Sequence, residues 1–268
     1  MARGWRAWGV VAVAFGLAAW GRPVTGAEAA DAAHGAAATP VPVLVELFTS
    51  EGCSSCPPVD TLLTRLASEQ IVGDARIVPL AFHVDYWDRL GWKDRFSSAA
   101  FTERQNRYAE AWKSDRVYTP QAVVDGRVEF VGTDVKQALA ALAASAARPH
   151  ATVALVLAVD DTPQRRTLRV AIDPPAGAAF SADVLLAVAQ DGLSSEVTAG
   201  ENARKRLEHT GVVRSLTRIG RVAKGAPVRL ESVKVPIDAA WATGSLRAVV
   251  FVQDERTREI HGTGQLAF

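Results

Sequence analysis

The chain has 268 residues, of which 49% are hydrophobic and 22% charged, and its formal net charge is +1. That length accommodates one large domain or two ordinary ones, each with a well-buried core. Near-neutral charge without a basic stripe argues against a nucleic-acid partner.

Arg3 and Arg6 precede an apolar stretch from Ala7 to Trp20, and Ala27-Glu28-Ala29 supplies small residues at a cleavage position. This pattern reads as a secretory signal peptide over residues 1–29, cut between Ala27 and Ala30, because the apolar stretch is short for a bilayer span. An uncleaved anchor is the alternative, since Trp20 and Gly21 leave room to extend the run. Residues 30–40 read as a flexible leader. Export implies a periplasmic or secreted protein with no stable membrane span after cleavage, in a compartment where paired thiols are oxidised.

Val43-Leu44-Val45-Glu46-Leu47-Phe48 is an apolar run that predicts a buried strand. It leads through Thr49-Ser50-Glu51-Gly52 into Cys53-Ser54-Ser55-Cys56, which holds the only two cysteines of the chain. Val59, Leu62, Leu63 and Leu66 then recur at helical spacing. Prolines suit the first turn of a helix, so a start at Pro57 or Pro58 would leave Cys53 slightly ahead of it. A C-x-x-C between strand and helix reads as a redox motif. As a staple, so close a pair would close a tiny loop and constrain little of the unfolded chain. Cys53, at the strand-to-helix edge where a partner reaches it, is the candidate nucleophile, and Cys56 the candidate resolving thiol. Glu46 is an acid inside an apolar strand, costly to bury as an anion unless it reaches the solvated sheet edge.

Ile77 to His83 predicts a second strand, parallel to the first by a right-handed crossover. Sites in such sheets lie beyond the carboxyl ends of the strands, so His83 and Asp85-Tyr86-Trp87 are expected on the same edge as Cys53. Ser97 to Trp112 predicts a helix capped by Ser97 or Ser98. Val117-Tyr118-Thr119-Pro120 leads into Gln121–Val124, an Asp125-Gly126 turn and Arg127–Val131, a hairpin signal. Asp134 to Ala147 predicts a third helix, ended by Arg148-Pro149.

This order, with Cys53-Ser54-Ser55-Cys56 after the first strand and Thr119-Pro120 ahead of the hairpin, resembles the thioredoxin superfamily over residues 41–149. The resemblance implies a cis Thr119–Pro120 bond lying against the cysteines, and a buried acid at Glu46 that relays the proton of the resolving thiol. The aromatic residue before the first cysteine and the glycine-proline between the pair, usual in that superfamily, are absent. Val45 to Pro58, His83-Val84-Asp85-Tyr86-Trp87 and Gly200-Glu201-Asn202-Ala203 also resemble a family of secreted bacterial thioredoxin-like proteins, domain of unknown function 1223. That likeness implies fold and compartment, and carries no substrate.

Beyond Ala151, strand-like runs at Val153–Val159, Thr167–Ile172, Val184–Val188, Val228–Leu230 and Leu246–Val252 alternate with turns at Asp160–Pro163, Asp173–Pro175 and Gln190–Gly192. The expected fold class is therefore an α/β thioredoxin-like domain followed, over residues 150–268, by an all-β, immunoglobulin-like sandwich. Gly200 to His209 is the most polar stretch of this half, read as a solvated loop or as one leaning on the first domain. The function expected is thiol–disulfide exchange between Cys53–Cys56 and partner protein thiols or disulfides, with Thr119 and Pro120 shaping the partner groove. It needs no dissociable cofactor. The alternatives are a copper- or zinc-handling protein using the same thiols, with His83 as a further ligand, and a non-catalytic scaffold.

Overall fold

The computed structural model describes residues 39–158, 165–241 and 245–268. The expected signal peptide, nearly all of the leader and the Asp160–Pro163 turn lie outside the described residues. The first half runs β1 (Val41–Thr49), α1 (Pro57–Glu69), β2 (Ile71–Val72), β3 (Ala75–His83), α2 (Ala99–Trp112), β4 (Gln121–Val124), β5 (Val128–Val131) and α3 (Val135–Ala146). The second half runs β6 (Thr152–Leu157), β7 (Arg165–Asp173), β8 (Ala182–Asp191), β9 (Leu193–Val197), β10 (Lys205–His209), β11 (Val212–Val222), β12 (Val228–Pro236), β13 (Ser245–Gln253) and β14 (Ile260–Ala267).

Local chemistry sets the ends of these elements. Helix α1 starts at Pro57 behind Cys56, where a missing backbone donor costs nothing. Ser98 caps α2 by accepting from the Ala100 amide, and Asp134 caps α3 by accepting from the Gln137 amide. Asp125 and Gly126 both have positive φ, as the tight β4–β5 hairpin turn requires.

Strands β1 and β3 are parallel, with Val41 opposite Ala75 and Thr49 opposite His83. Alternation along β1 then sorts its side chains between two cores. Val43, Val45 and Leu47 pack with Val59 and Leu63 of α1 and Leu142 of α3. Leu44 and Phe48 pack on the other face with Phe82, with Phe101 and Tyr108 of α2, and with Val213, Val249 and Phe251 from the second half.

That second core overturns the expectation of an α/β thioredoxin-like domain followed by a separate all-β sandwich. The molecule is mostly β, and its main sheet has nine strands in the order β14-β13-β8-β11-β3-β1-β4-β5, with β2 beside β3. The halves join where Val212 of β11 pairs in parallel with Ala81 of β3. The Ala81 amide donates to the Gly211 carbonyl at 2.7 Å, and Arg247 Nη2 donates to the Pro79 carbonyl at 2.7 Å. An unpaired β3 edge would leave backbone donors and acceptors open; β11 and Arg247 meet those of Ala81 and Pro79, and β2 those at the start of the strand. A smaller sheet, β12-β7-β6, packs Leu168, Val170 and Ile172 against Val184, Leu186, Ala248 and Val250 of the large one. Strands β8 and β13 are thus buried on both faces. No helix among the described residues is long and apolar enough to cross a membrane.

Candidate functional site

The β1–α1 loop carries Cys53 and Cys56, joined as a disulfide with their Cα atoms 5.4 Å apart. It leaves the sheet at the carboxyl ends of β1 and β3, and the Val84 amide donates to the Thr49 carbonyl at 2.9 Å, so the chain after His83 runs alongside. Cys56 is the residue before the first turn of α1, and Cys53 stands ahead of it. Cys53 Sγ lies 3.4 Å from Ser55 Oγ. Ser54 and Ser55 are exposed, whereas both cysteines are fully buried.

Trp87 and the chain ahead of β4 flank this loop. A Cβ on Gly52 would meet Trp87 Cβ at 3.2 Å, so a small residue lets the loop lie against the tryptophan. Trp87 Nε1 donates to Thr119 Oγ1 at 2.8 Å, and the Thr119–Pro120 peptide is cis, as the resemblance implies. Phe48 pairs with Gln121, so Thr119 and Pro120 leave the sheet on the same edge as the cysteine loop. Gln105 of α2 ties that segment down by donating to the Tyr118 carbonyl and to Gln121 Oε1, each at 2.8 Å.

Glu46 does not join this group. Its parity on β1 turns it to the α2 face, away from α1, where it pairs with Arg104 at 2.6 Å and accepts from Tyr108. The buried acid on the α1 side is Asp60, one turn beyond Cys56, accepting from Thr49 Oγ1 at 3.2 Å. Burial raises its pKa, against the pull of His209 and His83.

Behind the cysteine loop lies a buried network of carboxylates and imidazoles. His83 Nδ1 and Asp94 Oδ2 are 2.6 Å apart. Asp94 also accepts from the backbone amides of Glu51 and Phe96, both at 2.9 Å. Burial would raise its pKa, but the His83 charge and these donors outweigh it and hold Asp94 at about 2. Burial likewise opposes charging of His83, and Asp94 overcomes it, raising the histidine. Glu51 accepts from Trp92 Nε1 at 2.7 Å and lies 3.1 Å from His209 Nε2. Its pKa is lowered, with His209 the chief contribution set against burial. The two imidazole rings meet edge to face, 5.0 Å apart. Among the described residues no group of three or more His, Cys, Asp or Glu has an arrangement that could hold a metal ion.

The polar stretch of the second half closes the site: most of Gly200–His209 is exposed to solvent, as a solvated loop would be, while Asn202 and His209 are buried against the first half. Between β9 and β10 the chain folds over the cysteines. Asn202, fully buried, donates from Nδ2 to the carbonyls of Glu51 at 2.8 Å and Cys53 at 2.9 Å. The Ser54 amide donates to Glu201 Oε2 at 3.0 Å. Gly200, at φ +73°, passes so close to Trp92 that a Cβ would meet the tryptophan Cβ at 3.2 Å. Asp60, Asp94 and His209 escaped the sequence reading. Each is a lone polar residue whose partners come from elsewhere in the chain, and only the helical spacing of Asp60 from Cys56 offered a local signal.

Residues 44–253 match the family described as Protein of unknown function (DUF1223). The chain belongs to the DUF1223 family. Among solved structures, this DUF1223 chain is similar to a protein from Agrobacterium tumefaciens, with 29% identity and a TM-score of 0.65 over 85% of this chain and 94% of that one. It is also similar to HBP35 of Porphyromonas gingivalis, at 14% identity and a TM-score of 0.62 over 85% of this chain and 76% of that one, a likeness of fold alone. No curated protein matches this DUF1223 chain.

Proposed function

We propose that this DUF1223 protein is an exported thiol–disulfide oxidoreductase that exchanges its Cys53–Cys56 disulfide with the thiols of partner proteins. The observation carrying this reading is the disulfide itself, at the head of α1 with a buried acid one turn behind it. The C-x-x-C and the Thr119-Pro120 segment on one sheet edge are what the protein shares with the active sites of the thioredoxin superfamily.

A partner thiolate attacks Cys53 Sγ. The bond between Cys53 and Cys56 breaks, a mixed disulfide forms, and the electron pair leaves on the Cys56 sulfur. Asp60 is the acid that gives this thiolate its proton, since a raised pKa keeps a carboxyl protonated to higher pH. A second partner thiolate then attacks the partner's own sulfur in the mixed disulfide. The partner departs with a disulfide, and Cys53–Cys56 is left as a dithiol that has gained two electrons. Glu46 has no step here, because it pairs with Arg104 on the opposite face. An oxidising compartment, periplasmic or extracellular, would regenerate the disulfide.

Burial of both sulfurs favours a second reading, a closed structural disulfide on a scaffold. Insulin reduction by dithiothreitol separates the two. The wild type is expected to accelerate it, Cys53→Ser to leave it at the uncatalysed rate, and Asn202→Ala, which frees the Cys53 carbonyl, to speed reduction of the disulfide. Equal rates for wild type and Cys53→Ser would leave the scaffold reading.

A further inference from the structure

A cavity of substantial size lies apart from the cysteines. About 680 Å3 opens between α2 and the β8–β11 face, within the ordinary range for small-molecule sites. Its apolar wall is Phe101, Leu185, Val213 and Leu216, and its charge is arginine: Arg95, Arg104, Arg107, Arg214, Arg218 and Arg258, against Glu103 and Asp183. Three of the six are matched. Arg107 pairs with Glu103 at 3.0 Å, Arg218 with Asp183 at 2.7 Å and Arg104 with Glu46 at 2.6 Å. Arg95, Arg214 and Arg258 make no ion pair among the described residues; Asp238 is the one acid whose field supports Arg214.

The unmatched charges are anchored at the cavity wall by aromatic and amide groups. The guanidinium carbons of Arg95 and Arg214 lie 4.5 and 5.2 Å from the centre of the same Phe96 ring. Arg104 and Arg258 both donate to Gln253 Oε1 at 3.0 Å. Arg258 Nε is buried without a partner. Burial and the neighbouring arginines lower the pKa of Arg214 and of Arg258, which is the electrostatic signature of like charges kept close. The 14-residue α2 begins at the same cavity, which is bordered from Ser98 to Arg107, a run of about 15 Å. Its positive end adds to the guanidinium field.

We propose that this cleft binds a small multivalent oxyanion, a molecule bearing two or more phosphate or carboxylate groups, with Arg95 and Arg214 holding one group and Arg258 another. Planar guanidinium forks match either group in two-point contact, and such a ligand relieves the repulsion among them. The proposal does not rest on the redox reading.

Isothermal titration calorimetry of the purified protein with tripolyphosphate and with citrate tests it. The expected result is saturable one-to-one binding of at least one probe. Affinity should fall roughly tenfold or more in Arg214→Met and in Arg258→Met, as loss of a charged hydrogen bond requires, with Arg95→Met as a further cleft variant. Arg169→Met, at an exposed arginine on β7, should bind as the wild type does. The tighter probe assigns phosphate or carboxylate. Failure of both probes to saturate, unchanged affinity in both Arg214→Met and Arg258→Met, or equal weakening by Arg169→Met would each overturn the proposal.

Discussion

Asp94 gathers two backbone amides and an imidazole around one buried carboxylate, and its low pKa records how strongly they favour the charged form. The pair it makes with His83 acts on stability in both directions of pH. His83 is raised above its ordinary 6.5, so its contribution is complete below about that pH and fades as pH climbs through the raised value. Asp94 is depressed, so its contribution is present above the unfolded value of about 3.9 and disappears as pH falls toward 2. The stability difference between wild type and Asp94→Asn should therefore peak between about pH 4 and 6.5 and shrink on either side. Removing one partner of a buried pair costs about 3–5 kcal/mol, so urea unfolding of both proteins across this range measures it. A difference independent of pH would mean that the carboxylate charge is not what matters. The sequence offered Cys53, Cys56, Thr119 and Pro120 because their spacing and order are local signals. It offered Glu46 as the buried acid because an acid in an apolar strand stands out. Which face that strand turns to α1 is decided by parity, and parity gives the α1 side to Thr49 and, through it, to Asp60.

At the scale of elements, the helices and the β4–β5 hairpin were legible because caps, prolines and the Asp-Gly turn act within a few residues. The join of β11 to β3 was not. It depends on which strand edge meets which, and on a single glycine. Gly211 has φ +70°, and a Cβ there would lie 2.8 Å from the Pro79 carbonyl oxygen. Its amide also donates to Asp191 Oδ1 at 2.7 Å, fixing the turn into β11. Gly211→Ala should cost about 1–3 kcal/mol from the left-handed conformation and the clash together. The loss should appear as a lowered urea midpoint, and an unchanged midpoint would show that the junction has slack.

For the whole molecule, the residues that read as two domains share one sheet and one core. The strand runs of the second half were visible, but periodicity tells a strand's faces and not its neighbours, so a separate sandwich was the natural expectation. Leu44, Phe48 and Phe82 are covered in part by Val213, Val249 and Phe251. A fragment spanning residues 41–149 would expose that face and leave the β3 edge open. It should lack a cooperative thermal transition by circular dichroism, while residues 39–268, one compact unit, melt together. A fragment that melts cooperatively would contradict this account of the core. The functional account stands on the reactivity of Cys53, and its most direct test is to incubate Cys56→Ser with a periplasmic extract and separate covalent adducts on non-reducing gels. The prediction is a set of partner proteins released by reductant and missing when Cys53 is also replaced by Ser; adducts that persist in the double variant, or none at all, would contradict it.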